Sequence, residues 1–156
     1  EIRAKKGIQT SKLAYLCLLC ILFSHTSLCF AAQDAIDLNI IAEIESSNNP
    51  QAINYFSGCA GLYQISEICL KEFNQIHKTQ IIKPDLFDPA INEMIAKWYL
   101  EKRIPEMLKA YKKPVDTKHI IWAYNAGIGN VVKGIMPNET KNYIERYENM
   151  RKERLK

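Results

Sequence analysis

Apolar residues recur at helical spacing over most of the chain. Ile36, Ile40, Ile41 and Ile44 stand at i, i+4, i+5 and i+8, one apolar stripe of an amphipathic helix with Glu43 and Glu45 beside it. Ser46-Ser47-Asn48-Asn49-Pro50 stops that helix, because Pro50 disfavours helical geometry at Asn49 and the short polar side chains compete for backbone hydrogen bonds. Glu45 is therefore predicted at a helix–loop junction. Gln51 to Ile65 has few apolar residues in helical register and two glycines, and reads as a loop or a short β-hairpin.

Helical periodicity then returns. Ser66-Glu67 starts a helix whose apolar face is Ile68, Cys69, Leu70, Phe73 and Ile76, running to about His77. Asp88-Pro89 is an N-cap followed by proline at the first helical position, and Ile91, Met94, Ile95, Trp98 and Tyr99 form the stripe behind it. Pro105 is expected to end or kink that helix, with a short one from Pro105 to Tyr111 and a turn at Lys112-Lys113-Pro114. Asp116 or Thr117 caps the next helix, which points Ile120, Ile121 and Tyr124 inward. Gly127 and Gly129 break it, Val131, Val132 and Ile135 mark a short helix, and Pro137-Asn138 leads into a last one with Tyr143 and Tyr147 four apart. The sum is one all-α domain with a small loop or hairpin lobe beside the first helix.

With 156 residues and 47% hydrophobic content, the chain suits one compact domain rather than a disordered segment. Arg3, Lys5, Lys6 and Lys12 precede the apolar run Leu13 to Leu22, and Cys29-Phe30-Ala31 offers a small-x-small cleavage site. Residues 1–31 thus read as a signal peptide, leaving 32–156 as the domain. The competing reading keeps residues 13–32 as an inner-membrane anchor, although Ser24-His25-Thr26-Ser27 interrupts the run. Leu16, Leu19 and Leu28 precede Cys17, Cys20 and Cys29, where a lipoprotein signal needs a small residue, so no lipid anchor is expected. Either way the protein is expected to be exported, in the periplasm.

The formal charge of +4 comes mostly from the leader, so the domain is nearly neutral and lacks the basic patch of a nucleic-acid binder. Arg146, Arg151, Lys152, Arg154 and Lys156 read as a solvated helix end that complements the helix dipole. Cys59 and Cys69 remain as a pair outside the leader. Export would permit a disulfide between them, and two small buried thiols is the equal alternative. The scattered His25, His77 and His119 show no zinc spacing, so neither metal nor cofactor is expected.

Glu45 at its junction is a candidate general acid, since apolar neighbours would raise its pKa toward neutrality. Glu45-Ser46, then Asn49-Pro50 and Ala52, then Gly61-Leu62-Tyr63-Gln64-Ile65, and downstream Ala123-Tyr124-Asn125-Ala126-Gly127, Glu139-Thr140 and Tyr143 follow in order. Together these motifs, spanning roughly 36–147, resemble those of the soluble lytic transglycosylase family, whose fold is similar to goose-type lysozyme.

The resemblance implies an all-α, lysozyme-like (α+β) fold and a murein-cleaving enzyme with Glu45 as its sole catalytic acid/base. Glu45 would protonate the glycosidic oxygen leaving N-acetylmuramic acid. It would then activate that sugar's 6-hydroxyl, giving a 1,6-anhydro ring without water. Gln64 would face the N-acetyl region, Tyr124 and Asn125 would lie near the glutamate and substrate, and Glu139 and Tyr143 would line and support the cleft. The expected partner is the peptidoglycan glycan strand, with a secretion, conjugation or pilus assembly as the machine served, and a monomer as the working form.

Two departures stand out. The loop between Asn49 and Gly61 is one residue longer than the common pattern, so Asn54 and Ser57 compete for a serine's place. Ser66-Glu67 stands where the family often has methionine and proline, which makes Ser66 the residue at a sugar-contacting position. Lysozyme-like hydrolysis on the same scaffold, and a non-catalytic, membrane-tethered glycan-binding scaffold, are the alternatives.

Overall fold

The computed structural model describes residues 35–156. The leader read at 1–31 and its cysteines lie outside the described residues. Helix α1 (Leu38–Ser46) opens on Asp37, whose carboxylate accepts the Asn39 and Ile40 backbone N–H groups at 3.0 and 3.4 Å. It closes on Ser47 and Asn48, both left-handed at φ 52 and 61°, so the expected stop is where the polar run placed it.

Residues 47–66 form the loop lobe. Its β character is limited to two isolated antiparallel bridges, Ile53 with Ala60 and Ala60 with Ile65, so the loop alternative holds and no hairpin ladder forms. Helix α2 (Glu67–His77) starts at the expected Ser66, whose hydroxyl oxygen caps the Cys69 N–H at 3.2 Å. After a 3-10 turn, Lys83–Phe87, helix α3 (Pro89–Trp98) begins under Asp88, again as expected.

Pro105 does not break the chain of turns. A π turn, Tyr99–Arg103, carries α3 into α4 (Ile104–Ala110), with the Ile104 N–H reaching back to the Tyr99 carbonyl. The wider turn lets Pro105 sit in the first turn of α4, where its missing N–H costs nothing. Helices α5 (Thr117–Ala126, capped by Asp116), α6 (Ile128–Lys133) and α7 (Asn138–Arg154) complete the domain. No helix among the described residues is long and apolar enough to cross a membrane.

The core gathers Ile40 and Ile41 of α1, Ile95 and Ala96 of α3, Leu100, Ile104 and Leu108, Ile120 and Ile121 of α5, and Tyr147 of α7. Three residues assigned inward face out: Ile68, Ile76 and Met94 are 78, 49 and 47% exposed. Ile68 lies about 200° around the helix from buried Leu70, because residues two apart fall on opposite faces. In α3 the buried positions are Asn92, Ile95 and Ala96, which puts Met94 on the far side.

Asn92 is fully buried and ties the loop lobe to the helices. Its side-chain oxygen accepts the Tyr63 N–H at 2.8 Å, and its amide donates to the carbonyls of Ala60 at 3.0 Å and Leu86 at 2.9 Å. Gly61 lies against this asparagine at φ +81°, and a Cβ there would run into the Asn92 amide and the Leu86 carbonyl. Asn92→Ala, which orphans three buried backbone groups, is expected to cost about 2–4 kcal/mol in urea denaturation. Gly61→Ala is expected to fall in the same range through strain and overlap.

Candidate active site

α1 and α7 run antiparallel and grip each other at both ends. Near the start of α1 the Tyr147 hydroxyl accepts the Asp37 N–H at 2.8 Å, and Arg154 pairs with Asp37 at 3.1 Å and Glu43 at 3.5 Å. At the other end the Tyr143 hydroxyl donates to Glu45 Oε1 at 2.9 Å. The Tyr143–Tyr147 spacing noted in the sequence thus serves two ends of one neighbouring helix.

Glu45 lines a cleft of about 690 Å³ between α1, the loop lobe, the start of α2, the π turn, α5 and α7. Its pKa is pushed up from the ordinary 4.5 to about 7. Burial is the main cause, and the negative charge of Glu139 adds to it, while the Tyr143 hydrogen bond works the other way. Burial and the charge on Glu45 also push the Tyr143 and Tyr124 phenols well above their usual range, so both remain protonated donors at neutral pH.

All of the sequence-derived site residues line this cleft: Glu45, Gln64, Ser66, Tyr124, Asn125, Glu139 and Tyr143, with Cys59 and Cys69 among them. Their local bonds differ. The Gln64 amide nitrogen braces the loop, donating to the carbonyls of Gly61 at 2.9 Å and Ala52 at 3.3 Å, which leaves its carbonyl oxygen without a partner among the described residues. Tyr124 donates to the Tyr63 carbonyl at 2.6 Å, and Asn125 accepts from buried Thr140 at 2.7 Å, so α5, the loop and α7 are stitched together behind the cleft. Ser66 presents the hydroxyl whose oxygen caps α2.

Cys59 and Cys69 are free thiols. Burial pushes the Cys69 thiol up to about 12, with Glu72 and Cys59 contributing. Asn54 and Ser57, the two competitors for one loop position, both line the cleft; Asn54 Oδ1 accepts the Phe56 and Ser57 N–H groups at 3.0 and 3.1 Å. Among the described residues no three His, Cys, Asp or Glu side chains gather in a way that could hold a metal ion.

Sequence reading misses four cleft residues, one of them Ile44, which it gives to the apolar stripe of α1. Tyr99 was assigned to the α3 core stripe, and the π turn brings it to the cleft. Arg146 was assigned to the basic tail and Asn142 was not singled out, yet both line the cleft. Their spacing from Tyr143 and Glu139, three residues in each case, was the available signal.

A helical domain that holds one carboxylate with its pKa raised to about 7, hydrogen-bonded by a tyrosine in a polar cleft, fits a candidate acid/base site. The family model of the transglycosylase SLT domain matches residues 32–147, and the chain belongs to that family. Members of the family are lysozyme-like peptidoglycan lytic transglycosylases. No individual curated protein and no solved structure matches the chain.

Glu45 also governs a pH dependence separate from activity. Because its folded pKa is raised, the folded state binds more protons than the unfolded chain between pH 4.5 and about 7. The associated stability is fully present below that window and is lost as pH rises through it. Glu45→Gln removes the dependence, so the variant should gain about 2 kcal/mol over wild type at about pH 8, and nothing at about pH 4. That figure is set below the full shift because Glu45 is only half-buried. Urea denaturation at the two pH values checks it; an equal difference at both would show that Glu45 titrates normally.

Proposed function

We propose that this protein is an exported murein lytic transglycosylase of bacterial or phage type, with Glu45 as its sole acid/base. The observation that carries the reading is the Glu45 carboxyl, held near pKa 7 inside the cleft. A single group that must first give a proton and then take one works best with a pKa close to the working pH.

In the proposed reaction, protonated Glu45 donates to the glycosidic oxygen as the bond from C1 of N-acetylmuramic acid to that oxygen breaks. The sugar's N-acetyl carbonyl oxygen bonds to C1 and carries the developing charge. Glu45, now a carboxylate, removes the proton of the same sugar's 6-hydroxyl, and O6 displaces the acetamido oxygen from C1. Proton and electron count close without water, and the product is a 1,6-anhydro ring. The intramolecular nucleophile gains from proximity, so the protein's remaining task is to hold the ring oriented.

Tyr143 supports this scheme by stabilising the anion between the two steps, and Glu139 by holding the proton on Glu45 at the start. Gln64, Ser66, Tyr124 and Asn125 are assigned to the sugar as cleft walls. Peptidoglycan lies outside the cytoplasmic membrane, which fits the leader read at residues 1–31 and a periplasmic site of action. Service to a secretion, conjugation or pilus machine remains part of this proposal by analogy.

Mass spectrometry of the soluble products from peptidoglycan decides the chemistry. Products one water lighter than reducing muropeptides are expected from the wild type, with about a thousandfold loss in Glu45→Gln. Reducing products would assign lysozyme-like hydrolysis instead, and wall binding without any product would assign a scaffold.

Tyr143→Phe and Glu139→Gln are expected to move the alkaline limb of the kcat/KM profile in opposite directions. Losing the hydrogen bond raises the Glu45 pKa and carries the limb to higher pH; losing the negative charge lowers it. Shifts of the same sign would refute these two roles.

A further inference from the structure

A second groove continues from the catalytic cleft along the outer face of α7. It is lined by Asn142, Glu145, Arg146, Asn149, Met150 and Glu153, and Asn142 and Arg146 line the cleft as well. From Asn142 to Glu153 the groove follows the helix for about 16 Å. Arg146 is the one cation lining the cleft among the described residues. It is exposed and makes no hydrogen bond or ion pair with another described residue. Its guanidinium is therefore unpaired at the junction of two grooves, one of which holds Glu45.

We propose that this α7 groove binds the stem peptide carried by the glycan strand, with Arg146 receiving the stem carboxylate nearest the sugar. The proposal rests on the peptidoglycan reading above. A stem peptide leaves the strand at the muramic lactyl group, beside the scissile bond, so it must exit the cleft along some wall. The α7 groove is a wall of suitable length, since an extended peptide covers about 3.3 Å per residue and the groove holds four or five residues at that rise.

The order of charges also fits. A murein stem carries a D-glutamyl carboxylate close to the sugar and the amino group of a diamino acid one residue further out. The groove offers Arg146 at the cleft junction and Glu153 about 10 Å beyond it, with Glu145 alongside. A planar, forked guanidinium is suited to a carboxylate, and a neighbouring carboxylate to an ammonium group.

The test compares wild type, Arg146→Gln and Arg146→Lys on intact glycan strands and on the same strands stripped of stem peptide by an amidase. The ratio of kcat/KM on intact over stripped strands is expected to fall about tenfold in Arg146→Gln, through KM rather than kcat, and to recover in part in Arg146→Lys. An unchanged ratio would overturn the proposal. A larger loss on stripped strands, where the lactyl carboxylate is free, would overturn it too and give Arg146 to that carboxylate.

Calorimetric binding of the free stem tetrapeptide to the wild type and to Arg146→Gln is the arm that needs no turnover. Binding weakened about tenfold in the variant supports the groove even where the wild type cleaves neither substrate, an outcome that would count against the transglycosylase reading alone. Equal affinity, or none, overturns the groove.

Discussion

A carboxyl group drawn partly out of water into a cleft wall, so that burial raises its pKa to about 7, is the constraint on which the rest of this domain depends. The half-buried Glu45 cannot be solvated as a surface glutamate is, so its anion relies on the Tyr143 hydroxyl at 2.9 Å. That hydroxyl is held at the correct height because α7 is locked to α1 by Tyr147 at Asp37 and by the Arg154 ion pairs. Isolated surface ion pairs are worth little, but these reinforce a buried tyrosine and act on alignment more than on stability. Local helix chemistry, in this way, becomes the position of one proton.

The opposite wall is built on a different physical basis. The loop lobe has no ladder to stiffen it, only two isolated bridges, so its shape comes from side-chain to backbone hydrogen bonds. Asn92 holds Tyr63, Ala60 and Leu86; Gln64 holds Ala52 and Gly61; Tyr124 holds the Tyr63 carbonyl. A fully buried amide with three partners is costly to leave unsatisfied, so the lobe closes as a unit around it. Gly61 follows from the same packing, since only a residue without Cβ fits against that amide.

Much of this was legible in the chain because caps and stops are local. Ser66, Asp88 and Asp116 each announced a helix start and each accepts a backbone N–H there. The helix end after Glu45, which made that residue a candidate, rests on the same kind of signal. What escaped was tertiary. Asn92 takes a core register that a count of apolar residues assigns to its neighbours, because a buried amide is silent in hydrophobic periodicity. The π turn that brings Tyr99 to the cleft has no local signature beyond a proline six residues later. Arg146 read as part of a basic tail because charge runs do not say which member of the run turns toward a groove.

Burial raises the Glu45 proton affinity most, and the register of α7 against α1 sets the two opposed contributions that adjust it. Glu139, Tyr143 and Tyr147 succeed one another at four-residue intervals and lie on one face of α7. The first raises the Glu45 pKa by its charge, the second lowers it by a hydrogen bond, and the third fixes the far end of the helix pair. A slip of one turn would set Tyr147 opposite Glu45, carry Glu139 away from it and strip the Asp37 N–H of its acceptor. The buried Tyr147 and the Arg154 contacts with Asp37 and Glu43 all oppose that slip. The balance of two opposed neighbours on a proton affinity raised mainly by burial is therefore protected by groups at the other end of α1, which places residues remote from the cleft among the determinants of that affinity.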